Sequence, residues 1–304
     1  MQNDKHHIFN SVSDLHASLN LRKPVHPLVS VVKLDDVNTK ESVPVETIIH
    51  NFYTVFLKKN FDGKIRYGQQ YYDFDNGTIT FYAPKQRITI EGFTPTKLQG
   101  WMLAFHPDFL HGYQLAKKIN DYGFFSYATN EALHVSEKEE MIVSGIMQNL
   151  QSEIEAIIDG FTQDLVVSHI DLLLNYCNRF YSRQFITRKK ASNDLIAKFE
   201  ELLIAYLKDG RSNATVLPTV QFFAEKLFVS PHYLNDMLKN LTGQTTQQHI
   251  HCQLVEKAKE LLTTTNLSVG EIAYRLGFEY PQSFNKLFKN KTNVTPLQFR
   301  QSFN

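Results

Sequence analysis

The sequence predicts a two-domain α+β protein, with a small antiparallel β-barrel or sandwich and helices first, then an all-α domain of two helix-turn-helix units. Three observations support this. Before Tyr122 the chain alternates apolar and polar residues and is rich in β-branched and aromatic types, as half-buried strands require. After Tyr122 the apolar spacing becomes three and four, the helical period. From Pro218 to Phe303 the chain repeats itself at an offset of about fifty, the mark of a duplicated unit.

With 304 residues, 42% hydrophobic and 21% charged, the chain can bury a core in each of two domains and is neither disordered nor fibrous. No run approaches the roughly 18 apolar residues of a membrane span, so no membrane partner is expected. The start, Met1 to His16, is too polar for a signal peptide. Cys177 and Cys252 lie far apart without CxxC spacing and read as reduced, packed thiols. A cytoplasmic protein is expected. The net charge is +1, with 12 Lys+Arg against 10 Asp+Glu from Asn193 onward and 20 against 21 before it. Bulk charge therefore does not decide whether nucleic acid is a partner.

The strand candidates are Leu28–Leu34, Thr47–Leu57, Tyr67–Phe74, Thr78–Tyr82, Arg87–Ile90 and Leu98–Phe105. Asn76-Gly77 tolerates positive φ at both central turn positions, so a tight hairpin is expected there. Tyr67, Tyr71, Phe81, Trp101 and Phe105 have two readings, core packing or the wall of a small-molecule pocket. Ile142, Ile146, Leu150, Ile154 and Ile157 share one helix face. A second apolar stretch runs from Leu165 through Ile170, Leu173 and Cys177 to Phe180. The pair reads as a helical hairpin that packs on the strands or on a second copy of the chain. Ser182–Ser192, polar and basic, reads as the linker.

The repeat is the most specific signal. Leu238-Lys239-Asn240-Leu241-Thr242-Gly243-Gln244-Thr245 aligns with Phe288-Lys289-Asn290-Lys291-Thr292-Asn293-Val294-Thr295. Asn293 replaces Gly243, which keeps a residue suited to left-handed backbone at a helix end. Pro231 pairs with Pro281, while Ala224 and Leu227 pair with Ala273 and Leu276 one residue closer. One extra residue therefore sits in the second turn. Ser230-Pro231 supplies a cap and a first-turn proline, and Ser268-Val269-Gly270-Glu271 is a capping box. Between the units, Gln247 to Leu262 reads as a helix of about 24 Å.

An α-helix fits the DNA major groove, and successive grooves on one face lie roughly 34 Å apart. His232, Asn235 and Asp236 in the first unit and Gln282, Ser283 and Lys286 in the second are the candidate base contacts. Asn and Gln suit adenine edges, and Lys suits guanine. Lys239, Lys289 and Lys291 are the candidate phosphate contacts. Two other readings compete. A catalytic barrel with an accessory helical domain lacks any GxSxG, HExxH, P-loop or CxxC pattern. An interaction module that keeps the helix-turn-helix shape would show no salt-dependent DNA binding. No enzyme activity, cofactor or metal is expected.

The stretches VSPHYLNDMLKNLTGQT, LVEKAKELL and LSVGEIAYRLGFEYPQSFNKLFKNKTNVTPLQFR resemble the AraC/XylS family of bacterial regulators. The resemblance covers 193–304 and implies a seven-helix DNA-binding domain that begins with a helix over Asn193–Asp209. Phe228 stands where that family often has Gly, which bears on turn geometry. Asp236 stands at an often basic position, which puts the first unit's sequence preference in doubt. More weakly, 1–181 is similar to cupin-like effector domains, with a barrel over about 27–112 and dimer-forming helices over about 137–181. There the Gly100–Gly112 stretch looks like the barrel's end. His106 and His111 do not form the cupin metal signature. The resemblance implies double-stranded DNA as partner, with a small-molecule effector and a homodimer through 137–181 as further expectations.

Overall fold

The computed structural model describes residues 5–37, 43–59, 64–67, 70–72, 77–93, 99–208 and 217–303. Two compact units divide the chain, Met1–Gln184 and Phe185–Asn304.

In the first unit β1 (Lys5–Phe9), β3 (Val43–His50), β8 (Arg87–Phe93), β5 (Lys64–Tyr67) and β6 (Gln70–Tyr72) form one sheet in that order. The other sheet runs β10 (Leu133–His134), β7 (Thr78–Tyr82), β4 (Tyr53–Lys59), β9 (Gln99–Phe105) and β2 (Val29–Lys33). The cupin-like barrel expected from the strand pattern is not formed. Closing a barrel needs one continuous ladder with a consistent stagger. Among the described residues no ladder joins the two sheets, which end on β1 and β6 and on β10 and β2. β1 instead pairs parallel to β3. The second sheet is buried on both faces: all of β7 and every β9 residue after Gln99 are buried, whereas a water-facing barrel wall would alternate.

The expected strand Thr47–Leu57 breaks at Asn51-Phe52 into β3 and β4, which belong to different sheets. Of the expected strand Tyr67–Phe74, Tyr67 ends β5 and Gln70–Tyr72 form its partner β6, while 68, 69, 73 and 74 lie outside the described residues. Asn76 lies outside the described residues. Gly77 has φ +78°, yet β6 and β7 sit in different sheets, so the hairpin expected at Asn76-Gly77 is absent from the described ladders. Gly100 is demanded by packing. At φ +122° a Cβ there would lie 2.0 Å from the Leu57 carbonyl oxygen.

One face of the second sheet, with Val32, Met102 and Ala104, packs on Val12 and Leu15 of α1 (Val12–Ser18) and on Phe9. Helix α2 (Leu115–Lys118) is a single turn. Helix α3 (Glu137–Glu155) lies along β2, β9 and β4. It buries Val143, Ile146, Met147, Leu150 and Ile154; of the expected stripe Ile146, Leu150 and Ile154 are therefore buried, Ile142 is only half-buried, and the helix ends before the exposed Ile157. Helix α4 (Thr162–Thr187) buries Ile170, Leu173, Cys177 and Phe180. Burial raises the Cys177 thiol pKa far above its ordinary value. The basic Ser182–Ser192 segment is helical, shared between α4 and α5 (Lys189–Lys208). Its apolar anchor is Phe185, 2% exposed, whose carbonyl accepts from the Ser192 hydroxyl at 3.1 Å.

The second unit continues with α6 (Val220–Leu227), α7 (Pro231–Thr242), α8 (Thr246–Thr264), α9 (Val269–Arg275), α10 (Pro281–Thr292) and α11 (Pro296–Gln301). Helix α8 packs on α5, α7, α9, α10 and α11. Its buried Ile250, Leu254, Val255, Ala258, Leu261 and Leu262 make it the spine of this unit. At 19 residues it spans about 28 Å, somewhat longer than expected.

Candidate nucleic-acid interface

Each unit begins with a capped helix. Thr219 Oγ1 accepts from the Phe222 N–H at 3.1 Å, and Ser268 with Glu271 forms the expected capping box. Bonds from the Ser268 backbone N–H and side chain hold the Glu271 carboxyl below its ordinary pKa. Both first helices close in the same way. The Val229 N–H reaches the Ala224 carbonyl and the Phe278 N–H reaches the Ala273 carbonyl, each at 3.0 Å. This six-to-one bond needs a left-handed residue at the turn. Gly277 supplies it in the second unit at φ +88°, and Phe228 supplies it in the first at φ +57°, ψ +39°. The departure at Phe228 thus leaves the turn intact.

The second helices, α7 and α10, start on proline. Ser230 Oγ accepts from the Tyr233 N–H at 3.2 Å, whereas Tyr280 gives α10 no side-chain cap. Both helices end on left-handed residues, Gly243 at φ +77° and Asn293 at φ +63°. The N–H groups of these residues reach Lys239 and Lys289 carbonyls at 3.0 and 2.8 Å. The next helices open on matched capping boxes, Thr245 with Gln248 and Thr295 with Gln298. The left-handed turns, the proline starts and the closing capping boxes of the first unit therefore recur in the second, with the extra residue placed in its turn and the Ser230 cap not repeated.

Buried Leu234, Met237 and Leu238 fix which side of α7 faces outward. Phe284 and Phe288 do the same for α10. With 3.6 residues per turn, 232, 236 and 239 lie opposite the buried side, as do 282, 286 and 289. His232, Lys239, Gln282, Lys286 and Lys289 are all exposed.

A model of the helix-turn-helix domain family matches residues 223–302, from within α6 to the end of α11. Over 256 residues the chain is 27% identical to the HTH-type transcriptional activator RhaS of Salmonella agona, covering 83% of this chain and 86% of that protein. It is 35% identical to the C-terminal domain of the response regulator yesN of Fusobacterium nucleatum, over 33% of this chain and 96% of that one, with a TM-score of 0.29. A transcriptional regulator with an AraC-type DNA-binding domain from Chromobacterium violaceum is 21% identical, over 37% of this chain and 95% of that one, with a TM-score of 0.33. The chain belongs to the AraC/XylS family. It is a DNA-binding transcription regulator with two helix-turn-helix units and an N-terminal accessory domain. These matches are to helix-turn-helix transcription factors, not to an enzyme family.

Within this AraC/XylS chain the sequence-derived residues are not equivalent. Ser283 and Asn285 are exposed on α10, but Asn235 and Asp236 are half-buried on α7. Asn235 Oδ1 accepts from the Thr246 N–H at the start of α8, at a long 3.4 Å. Lys291 is exposed at the end of α10, and its charge reaches His251 of α8, adding to the burial that lowers that imidazole's pKa. Sequence reasoning passed over Lys226 and Arg275, exposed cations in the last turns of α6 and α9. They share the 49-residue offset of Ala224 and Ala273, which would have revealed them. It also passed over exposed Tyr274 and Tyr280, for which the first unit has no matching letter.

In the accessory domain Phe81, Trp101 and Phe105 share one sheet face by register with Val55 and Leu57. Phe81 meets Phe124 at 4.3 Å between ring centroids, and Phe105 stacks on Tyr53 at 5.2 Å. Lys33 lies over the Trp101 ring at 5.3 Å. The side chains of Tyr67 and Tyr71 lie outside the described residues. His106 Nδ1 accepts from the Asp108 N–H. A cavity of about 320 Å³ opens elsewhere, between the 20–25 segment, β2 and the end of α3, lined by His16, Ser30, Asp36, Ile154 and Glu155.

Proposed function

We propose that α7 and α10 enter successive major grooves on one face of a duplex, with α8 as the spacer that fixes their separation. The observation that carries this reading is the geometric duplication around α8. Two helices that each start on proline, end on a matched left-handed residue and turn the corresponding arc outward pack on one helix. An α8 of about 28 Å plus side chains is compatible with grooves roughly 34 Å apart. In this reading His232, Asn235 and Asp236 enter one groove, and Gln282, Ser283 and Lys286 enter the next. Lys239, Lys289 and Lys291 neutralise phosphates. The protein works in the cytoplasm, where no helix long and apolar enough to cross a membrane is needed; none occurs among the described residues.

The test is DNA binding by the full chain across a salt series. Counterion release makes affinity fall steeply as salt rises. Lys289→Ala weakens binding to all sequences alike and flattens that slope. Gln282→Ala costs about 1–3 kcal/mol on the preferred site alone. Equal losses on preferred and random duplexes for Gln282→Ala refute the assignment.

The accessory domain biases this binding through a small effector and a second copy of the chain. The 320 Å³ cavity is of a size that holds small molecules. Helices α3 and α4 and the turn between them leave Met141, Ile157, Ile158, Phe161, Leu165 and Leu172 exposed. Leu165 and Leu172, a heptad apart, lie on one side of α4 and suit a helix from a second copy.

A further inference from the structure

Resting on the reading that both units dock on DNA, we infer that base discrimination belongs to the second unit and that the first acts as a sequence-tolerant clamp on the duplex. The two outward arcs are related by an offset of fifty, so they can be compared position by position. His232 answers to Gln282, Asp236 to Lys286, Lys239 to Lys289 and Asn235 to Asn285.

Three differences point the same way. First, Asn235 is half-buried, with its carbonyl turned to the Thr246 N–H and its amide toward Asp236 Oδ1, each at 3.4 Å. To read adenine it must release contacts that help seat the first turn of α8. Asn285 is exposed and, among the described residues, makes no side-chain hydrogen bond. Second, Asp236 puts a carboxylate where Lys286 puts an ammonium. A carboxylate can accept from cytosine N4, but phosphates on both strands repel it. A lysine there is attracted by the phosphates and can donate to guanine acceptors. Third, the flank of α7 is committed to packing. Tyr233 sits edge-on to the buried Phe185 ring at 5.3 Å, while its counterpart Ser283 is exposed. The outward arc of α7 thus sums one cation and one anion. That of α10 carries Lys286 and Lys289, with Lys291 beside it.

The charges of the first unit still suit docking. Lys239 is exposed at the end of α7 and Lys226 at the end of α6, both able to meet phosphate without reference to sequence. A clamp of this kind adds affinity by effective concentration, because the second unit's binding makes the first unit's contact intramolecular.

The experiment is selection of duplexes from a random library with the full chain, followed by hydroxyl-radical footprinting on the selected site. The expected result is one block of strong base preference beside a protected segment about one helical turn away that shows none. Gln282→Ala or Lys286→Ala relaxes the selected block. Asn235→Ala leaves the selected sequence unchanged, and Asp236→Asn raises affinity for all duplexes several-fold. Circular dichroism melting of each variant separates a folding defect from a binding one. Two blocks of equal strength, with Asn235→Ala erasing one, overturn the division of labour but leave two-groove docking standing. A footprint confined to a single groove removes the clamp. No selected sequence and no footprint remove the docking reading itself.

Discussion

Phe228 shows how much a single residue can be made to bear. A non-glycine residue in the left-handed region is strained by about 1–2 kcal/mol, and this phenylalanine remains 73% exposed, so burial does not offset that cost. Glycine would relieve the strain while adding about 0.5–1 kcal/mol of unfolded-state entropy. Phe228→Gly is therefore expected to stabilise the helical domain 185–304, through the turn of its first helix-turn-helix unit, by up to about 1 kcal/mol, read as a higher urea midpoint with an unchanged slope. A lower midpoint would mean that the ring makes a contact worth more than the strain. His50 gives a pH dependence. It stacks on Phe52 at 5.0 Å and on Phe9 at 5.7 Å, with Nδ1 buried and, among the described residues, unpartnered. Burial lowers its pKa to about 4. Between pH 6.5 and 4 the unfolded chain takes up a proton that the folded chain refuses, so stability falls as pH drops through that window. By pH 4.5 the loss is about 2–3 kcal/mol. His50→Phe removes that share of the acid sensitivity. An equal decline in both proteins between pH 7 and 4.5 contradicts this. The environments of Asn235 and Asp236 were not legible in the sequence, because their burial depends on where Thr246 and the rest of the unit fall. Their letters alone suggested residues as available as Gln282 and Lys286.

At the scale of elements, legibility tracks the range of the interactions. Caps, left-handed stops and the extra turn residue depend on neighbours within six positions. Ser268-Glu271, Gly243, Asn293 and the Ser230-Pro231 start all stood in the sequence as they stand in the fold. Sheet pairing is set by residues far apart. Alternation marked β2, β7 and β9 within a residue or two, yet could not say that β3 and β4 part company at Asn51-Phe52, nor that β1 joins the edge of its sheet. Local pattern shows strands, but a barrel is a statement about their partners. Helix α8 supports a prediction of its own. Each residue added to a helix turns the chain beyond it by about 100° and advances it about 1.5 Å. One alanine inserted in α8 after Glu256 turns the buried Ala258, Leu261 and Leu262 by about 100° relative to Ile250, Leu254 and Val255 and rotates α10 out of phase with α7. Binding to a two-groove duplex is then expected to fall to that of a single unit, with a lower melting temperature but retained helical circular dichroism. Unchanged affinity would show that α8 does not set the spacing.

At the scale of the whole molecule, the accessory domain has surface left over. A chain with a well-filled core in each unit still exposes Ile157 at 94%, Phe161 at 71% and Met141 at 62%. Isolated apolar residues on a surface are ordinary, but Ile157, Ile158 and Phe161 fall together in the turn between α3 and α4, and apolar residues grouped in this way suit an interaction site. Leu165 and Leu172 extend it along α4 with heptad spacing, which lets the same surface meet itself about a two-fold axis. The full chain is accordingly expected to sediment as a dimer at micromolar concentration. Leu165→Glu combined with Leu172→Glu should give a monomer whose melting temperature is nearly unchanged, since both side chains are more than 40% exposed. Because dimerisation links two DNA-binding domains, the variant should bind a single operator half normally but lose the tighter binding to two halves in tandem, an effective-concentration effect. A wild-type chain that sediments as a monomer, or a double variant that remains a dimer, would place the self-contact elsewhere or remove it.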